Sequence, residues 1–190
     1  MPISAGRLCD GAAHQGVAAF AAAHEYAEMD DIFALAESRN ESPFIVVCDS
    51  LEDPHNLGAI LRSAEAAGVH GVIIPKRNSV TLNYTVAKTS AGAIEYVPVV
   101  KVANLPAAID ELKSRGVWIF GADMDGTDYT ALDYSGSIAL VIGSEGKGIG
   151  RLVREKCDFI ASLPMRGKIN SLNASVAAGI LMFEAAKHRN

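Results

Sequence analysis

The sequence predicts an α/β domain, a mostly parallel sheet with helices on both faces. Three observations carry that prediction. Short, continuous apolar runs such as Phe44-Ile-Val-Val-Cys48 recur along the chain, and unbroken hydrophobicity marks strands buried on both faces. Segments of helical periodicity lie between these runs. The two kinds of segment alternate from residue 44 onward, as parallel sheets with crossover helices require.

The elements follow in order. Residues 30–38 fit one short helix in a leader, residues 1–43, that carries too little apolar surface for a core of its own. Residues 44–48 read as the first strand. Residues 56–67 are helical and stop at Gly68, a suitable C-terminal cap, with Asn56 a candidate N-cap. Residues 71–74 form a second strand closed by Pro75. A helix at 82–88, a strand at 96–100, a helix at 105–115 and strands at 117–121 and 138–142 come next. A short helix at 149–155, a strand at 159–163 and a final helix at 172–187, capped by Asn170 or Ser171, complete the chain.

Composition bounds the function. The 190 residues hold 17 Lys+Arg, 22 Asp+Glu and 49% hydrophobic residues, enough for one real core. The net charge of −5 argues against a uniformly basic nucleic-acid binder. All of that surplus lies in residues 1–43. Between residues 147 and 168, Lys147, Arg151, Arg154, Lys156, Arg166 and Lys168 face only Glu155 and Asp158, a local basic patch. Three scattered cysteines, Cys9, Cys48 and Cys157, make neither a metal spacing nor a disulfide framework. No apolar run approaches the ~20 residues of a membrane span, and the start lacks the order of a signal peptide. A cytoplasmic protein is expected.

Ligands of such sheets bind beyond the carboxyl ends of the strands, and three loops there carry candidate chemistry. In Asp53-Pro-His-Asn-Leu-Gly-Ala-Ile-Leu-Arg62, Gly58 and Arg62 share a helical face, so Gly58 reads as an open shelf beneath a guanidinium. A planar fork of donors suits a phosphate; a solvated arginine on a capped helix is equally compatible. Ile142-Gly-Ser-Glu-Gly-Lys-Gly148 has neither P-loop nor dinucleotide spacing. Its Glu145 would repel phosphate and suits ribose hydroxyls, a cationic ligand or helix capping. In Leu163-Pro-Met-Arg-Gly-Lys-Ile-Asn-Ser-Leu-Asn-Ala-Ser175, a basic loop leads into a helix with small Ala174, Ser175, Ala178 and Gly179 on one face. That face fits ordinary packing or a partner helix. Asp123-Met-Asp-Gly-Thr-Asp128 imitates a calcium loop, but its glycine is at the fourth position and Tyr134 replaces the closing Glu, leaving an acidic turn.

Taken together, Asn56-x-Gly58-x-x-x-Arg62, Gly143-x-Glu145-Gly146-x-Gly148, and Leu163-Pro-Met165 with Ser171-Leu-Asn173-x-Ser175 resemble the three signature motifs of the SpoU (TrmH) family of RNA 2′-O-methyltransferases. The resemblance runs over residues 44–187. Lys168-Ile-Asn-Ser-Leu-Asn173 and His14-Gln-Gly16 are most similar to the RlmB-like branch, which modifies a guanosine in large-subunit (23S) ribosomal RNA. The resemblance implies a deep C-terminal trefoil knot, S-adenosylmethionine as cofactor, RNA as partner, no metal, and a homodimer with active sites at its interface. It implies catalytic positions at Asn56, Arg62, Glu145, Ser171 and Asn173. It implies cofactor contacts from Gly143, Leu163 and Leu172, with Gly121 and Met165 as pocket walls. RNA contacts fall to Arg62, Lys147, Arg151, Arg166 and Lys168. Arg62 is the implied base; a phosphate anchor that also polarises the hydroxyl is the other role open to a guanidinium. Residues 1–43 then read as the linker remnant of an N-terminal RNA-binding domain. A tRNA guanosine methyltransferase, a catalytically silent RNA-binding protein and a nicotinamide enzyme are the competing expectations, the last without a glycine fingerprint after its first strand.

Overall fold

The computed structural model describes residues 24–189. Six strands, β1 (Phe44–Cys48), β2 (Gly71–Pro75), β3 (Val99–Val102), β4 (Trp118–Asp128), β5 (Ile138–Ile142) and β6 (Phe159–Ser162), form one sheet in the order β3-β2-β1-β5-β4-β6. Every pairing is parallel, for example Val46 with Val72 on one side and with Leu140 on the other. Among the described residues six helices accompany them: α1 (Met29–Ser38), α2 (Pro54–Ala66), α3 (Tyr84–Thr89), α4 (Leu105–Ser114), α5 (Arg151–Arg154) and α6 (Ala174–Ala186). The chain steps outward from β1 to β3, then returns to the other side of β1. The order therefore reverses between β1 and β5, the position at which open α/β sheets bind ligands.

Alternate residues of each strand feed two cores. Phe44, Val46 and Cys48 of β1 pack with Leu57, Ile60 and Leu61 of α2 and with Ala178, Leu181 and Met182 of α6. Ile45 and Val47 face the opposite layer, with Ile32 of α1, Ile109 and Leu112 of α4, and Val153 of α5. Burial on both sides explains why the strands are apolar without interruption. Helix α1 belongs to the packed domain although residues 1–43 read as a leader. Met29, Ile32 and Ala36 are buried, and Ala27 bridges to Val100. His14-Gln-Gly16 lies outside the described residues.

Several boundaries differ from expectation, each for a local reason. The N-cap of α2 is Asp53, whose carboxylate accepts from the His55 N–H at 2.8 Å, with Pro54 at the first helical position. Asn56 is thus free of capping. Asn173 caps α6, rather than Asn170 or Ser171, by accepting from Ser175 N and Val176 N. Strand β3 starts at Val99 because a 3₁₀ turn at Ala93–Glu95 and Pro98 occupy the segment before it. Strand β4 continues to Asp128, past the predicted end at Gly121. A bulge between Ala122 and Thr127 lets Thr127 and Asp128 pair with Ala161 and Ser162 of β6, so the supposed acidic turn is a strand extension.

Gly58 is not an open shelf. A Cβ there would stand 1.8 Å from Thr89 Oγ1, so glycine is what allows α2 and α3 to touch. Gly58→Ala should cost about 1–3 kcal/mol, lowering the thermal midpoint by about 2–4 °C per kcal/mol. Calorimetric melting checks this.

At the amino ends of the strands, buried His70 accepts from Phe44 N–H through Nδ1 at 2.9 Å and faces Glu41 through Nε2 at 3.0 Å. The proton therefore sits on Nε2 and the ring is neutral. Burial pushes its pKa down, opposed by Glu41. The unfolded imidazole takes up a proton near pH 6.5 while the folded one resists. Folding stability should therefore be complete above about pH 6.5 and decline as pH falls below it. Urea melts from pH 7.5 to 5 check the sign, and His70→Gln should flatten this part of the slope.

Candidate active site

The carboxyl ends of β1, β5, β4 and β6 hold the candidate site. Leaving β1, Asp49 is largely buried and ties the next strand to it: its N–H donates to Ile142 O at 2.8 Å, and its Oδ2 accepts from Gly150 N at 2.7 Å. Sequence reasoning passed over Asp49, although a carboxylate directly after a buried strand was a usable signal. Leaving β5, the loop closes on itself, with Ser144 N–H donating to Gly148 O at 3.1 Å and Gly148 N–H to Ser144 O at 2.8 Å. Gly148 has a positive φ of 63°, and Gly143 lies directly against the Gly148 backbone. The two glycines let two stretches of main chain touch.

Glu145 projects from this hairpin and links all three motifs. Its Oε1 accepts from Asn56 Nδ2 at 3.0 Å and from Asn173 Nδ2 at 2.5 Å. Asn173 Nδ2 also donates to Asn56 Oδ1 at 2.9 Å, and its Oδ1 accepts from the Ser175 N–H and hydroxyl. Residues as much as 117 positions apart in sequence thereby form one network. Asn56 is only 5% exposed, so the network fixes its amide.

A cavity of about 340 Å³ opens beside the hairpin. Gly143, Leu163, Met165, Ser171 and Leu172 of the predicted set border it, together with Glu145 and Lys147. Sequence reasoning missed Asp123 and Met124 of the β4 extension and Asn170, which also line it. Gly121 does not border it; a Cβ there would meet Cys157 Sγ at 2.8 Å, on the other side of the sheet. Arg62 is exposed on α2, borders neither this cavity nor the larger one behind the hairpin, and donates to no side chain among the described residues. Of the predicted basic contacts, Arg166 and Lys168 are exposed on the β6–α6 loop, and Arg151 pairs with Glu155 at 2.8 Å. Cys48 and Cys157 take no part. Burial pushes the Cys48 thiol up to about 12 and Cys157 up to about 11, far from a reactive thiolate. The described residues hold no cluster of potential metal ligands and no helix long and apolar enough to cross a membrane.

A parallel sheet with a carboxylate–amide network and a glycine hairpin beside a cavity is the arrangement in which the three motifs meet, and comparison with known proteins gives the class. The SpoU rRNA Methylase family matches residues 43–183, and the chain belongs to that family. A Bacillus subtilis protein assigned to the TrmH family of tRNA/rRNA methyltransferases is 57% identical over 178 residues, 93% of this chain and 72% of that protein. A Staphylococcus aureus protein of the same assignment is 54% identical over 94% of this chain and 73% of its own length. Among solved structures, the SpoU methyltransferase AviRb of Streptomyces viridochromogenes, in complex with S-adenosylmethionine, superposes with a TM-score of 0.73 at 30% identity. That match covers 77% of this chain and 60% of that one. A TrmH/SpoU tRNA-modifying enzyme of A. aeolicus has a TM-score of 0.70 at 29% identity, covering 84% and 82%.

The cavity fits the family's cofactor, S-adenosylmethionine. Leu163, Met165, Leu172 and Ala174 would offer apolar walls to its flat base, and the backbone of residues 142–148 would offer donors and acceptors to its polar groups. Glu145 and Asp123 border the same space, suited to ribose hydroxyls or a cationic centre.

Proposed function

We propose that this protein transfers a methyl group from S-adenosylmethionine to the ribose 2′-hydroxyl of a guanosine in large-subunit (23S) ribosomal RNA, in the cytoplasm. The observation that carries this reading is the Asn56–Glu145–Asn173 network, which joins the three motifs through Glu145, a residue on the wall of the cofactor-sized cavity. The cofactor supplies an electrophilic methyl on a sulfonium. The protein's task is then to hold the hydroxyl in line and give its proton a path. Asn56 and Asn173 amides held by a carboxylate are rigid donors and acceptors for that purpose. Ser171, at the cavity edge, is a further hydrogen-bonding group for the ribose. The same reading makes the segment from β6 to α6 the threaded part of a trefoil knot. A tRNA guanosine is the second reading, favoured by the A. aeolicus tRNA-modifying enzyme, most of whose chain is matched.

Two features support a homodimer whose site draws on both copies. Arg62 borders neither of the two cavities that flank the hairpin. Helix α6 is apolar beyond its core face: Ala178, Leu181 and Met182 face the core, while Val176 and Phe183 remain half exposed. Arg62→Ala and Asn173→Ala should each be inactive as pure proteins. Mixed after co-expression, they should recover up to about a quarter of the activity, because one site of the heterodimer is intact. No recovery, with confirmed subunit mixing, contradicts the shared site. Nucleoside mapping of ribosomal and transfer RNA from a deletion strain decides between the two substrates.

A further inference from the structure

Cations among the described residues fall into two groups, those paired with a carboxylate and those without one. Lys113, Arg115, Arg154 and Lys156 each meet a carboxylate at 2.6–2.8 Å and are internally neutralised. Lys76 and Arg77 are exposed and have no carboxylate within salt-bridge distance among the described residues. They leave the carboxyl end of β2, outside the basic patch legible in the sequence, and directly precede Asn78. The loop is held in place: Lys76 N–H donates to Val102 O at 2.8 Å and Val80 N–H to Leu51 O at 2.7 Å.

Asn78 and Leu51 border a second cavity, of about 510 Å³, on the other side of the glycine hairpin. Its remaining walls include Glu52, Asp53, Asn56 and the hairpin residues Glu145 and Lys147, which also line the cofactor-sized cavity. The two spaces thus share one thin wall. The volume suits one nucleoside. Three carboxylates inside repel phosphate but accept from the N–H groups of a base and the hydroxyls of a ribose. A strand entering here must leave its phosphates outside the cavity, which Lys147 lines and which Lys76 and Arg77 approach through their neighbour Asn78.

We propose that this second cavity receives the target nucleotide, turned out of its strand, and that Lys76 and Arg77 hold the phosphates next to it. The proposal rests on the RNA methyltransferase reading above. Phosphate contacts that position a strand make binding salt-dependent, by about 0.7–0.9 in log–log slope per contact.

The test compares wild type, the double variant K76E/R77E, and R39E. Arg39 is an exposed cation at the opposite end of the strands. RNA affinity is read by fluorescence anisotropy across a salt series, S-adenosylmethionine affinity by calorimetry, and methyl transfer by radiolabel. The double variant should bind RNA tenfold or more weakly, with a slope flatter by about 1.4–1.8. Its cofactor affinity should stay within twofold of wild type. A double variant that matches R39E in affinity and slope overturns the proposal, as does one that loses cofactor affinity in parallel. Wild-type protein that neither binds S-adenosylmethionine nor methylates RNA overturns the underlying reading instead.

Discussion

Glu145→Ala is expected to reduce methyl transfer by about 10²-fold or more, the scale on which a positioned proton-handling group acts, and to lower stability at the same time. Both effects have one origin. Glu145 accepts from Asn56 and Asn173, and its removal leaves the buried Asn56 amide without its partner. Stranding a buried donor costs about 1–3 kcal/mol, or about 2–4 °C of melting temperature per kcal/mol for a chain of this size. Glu145→Gln separates the two contributions. Its amide oxygen still accepts from one asparagine, so the melt should stay near wild type while transfer remains low. Single-turnover methylation beside thermal melting reads both. Full activity in Glu145→Ala would remove this carboxylate from the mechanism.

Gly143→Ala should be as damaging through geometry alone. A Cβ at residue 143 would lie 2.1 Å from the Gly148 carbonyl carbon and 2.4 Å from Ile149 N. These are backbone atoms and cannot swing aside. The hairpin must open, which pulls Glu145 from its partners and reshapes both cavities. S-adenosylmethionine affinity should fall by about two orders of magnitude, equivalent to about 2.7 kcal/mol. Gly146→Ala is the matched comparison, since a Cβ there meets nothing within 4 Å. Calorimetric titration of the two variants checks the contrast. Equal affinities would show that the tight hairpin is not needed for cofactor binding.

Much of the fold was legible because its strands are buried on both faces. Residues 44–48 and 138–142 announce themselves by unbroken apolar runs, and the structure puts them side by side at the centre of the sheet. The extension of β4 was not legible, because Asp123–Asp128 is polar and pairs only through a bulge. Gly58 was misread because its neighbour, Thr89, comes from a helix 31 positions away. The cap of α2 fell to Asp53 once Pro54 took the first helical position, which is what frees Asn56 for the network. Motif order pointed to Asn56, Glu145 and Asn173, yet no spacing rule shows that three residues so far apart share hydrogen bonds. Charge behaves the same way. Arg154 and Lys156 counted toward a basic patch until Asp123 and Asp110, distant in sequence, proved to neutralise them.

The most direct test of the central claim is mass spectrometry of nucleosides from RNA treated with this protein and S-adenosylmethionine. The expected result is a single 2′-O-methylated guanosine in large-subunit RNA, absent with Glu145→Ala and recovered by wild type. Methylation on a base rather than a ribose, or no methylated nucleoside in either ribosomal or transfer RNA, would contradict the account.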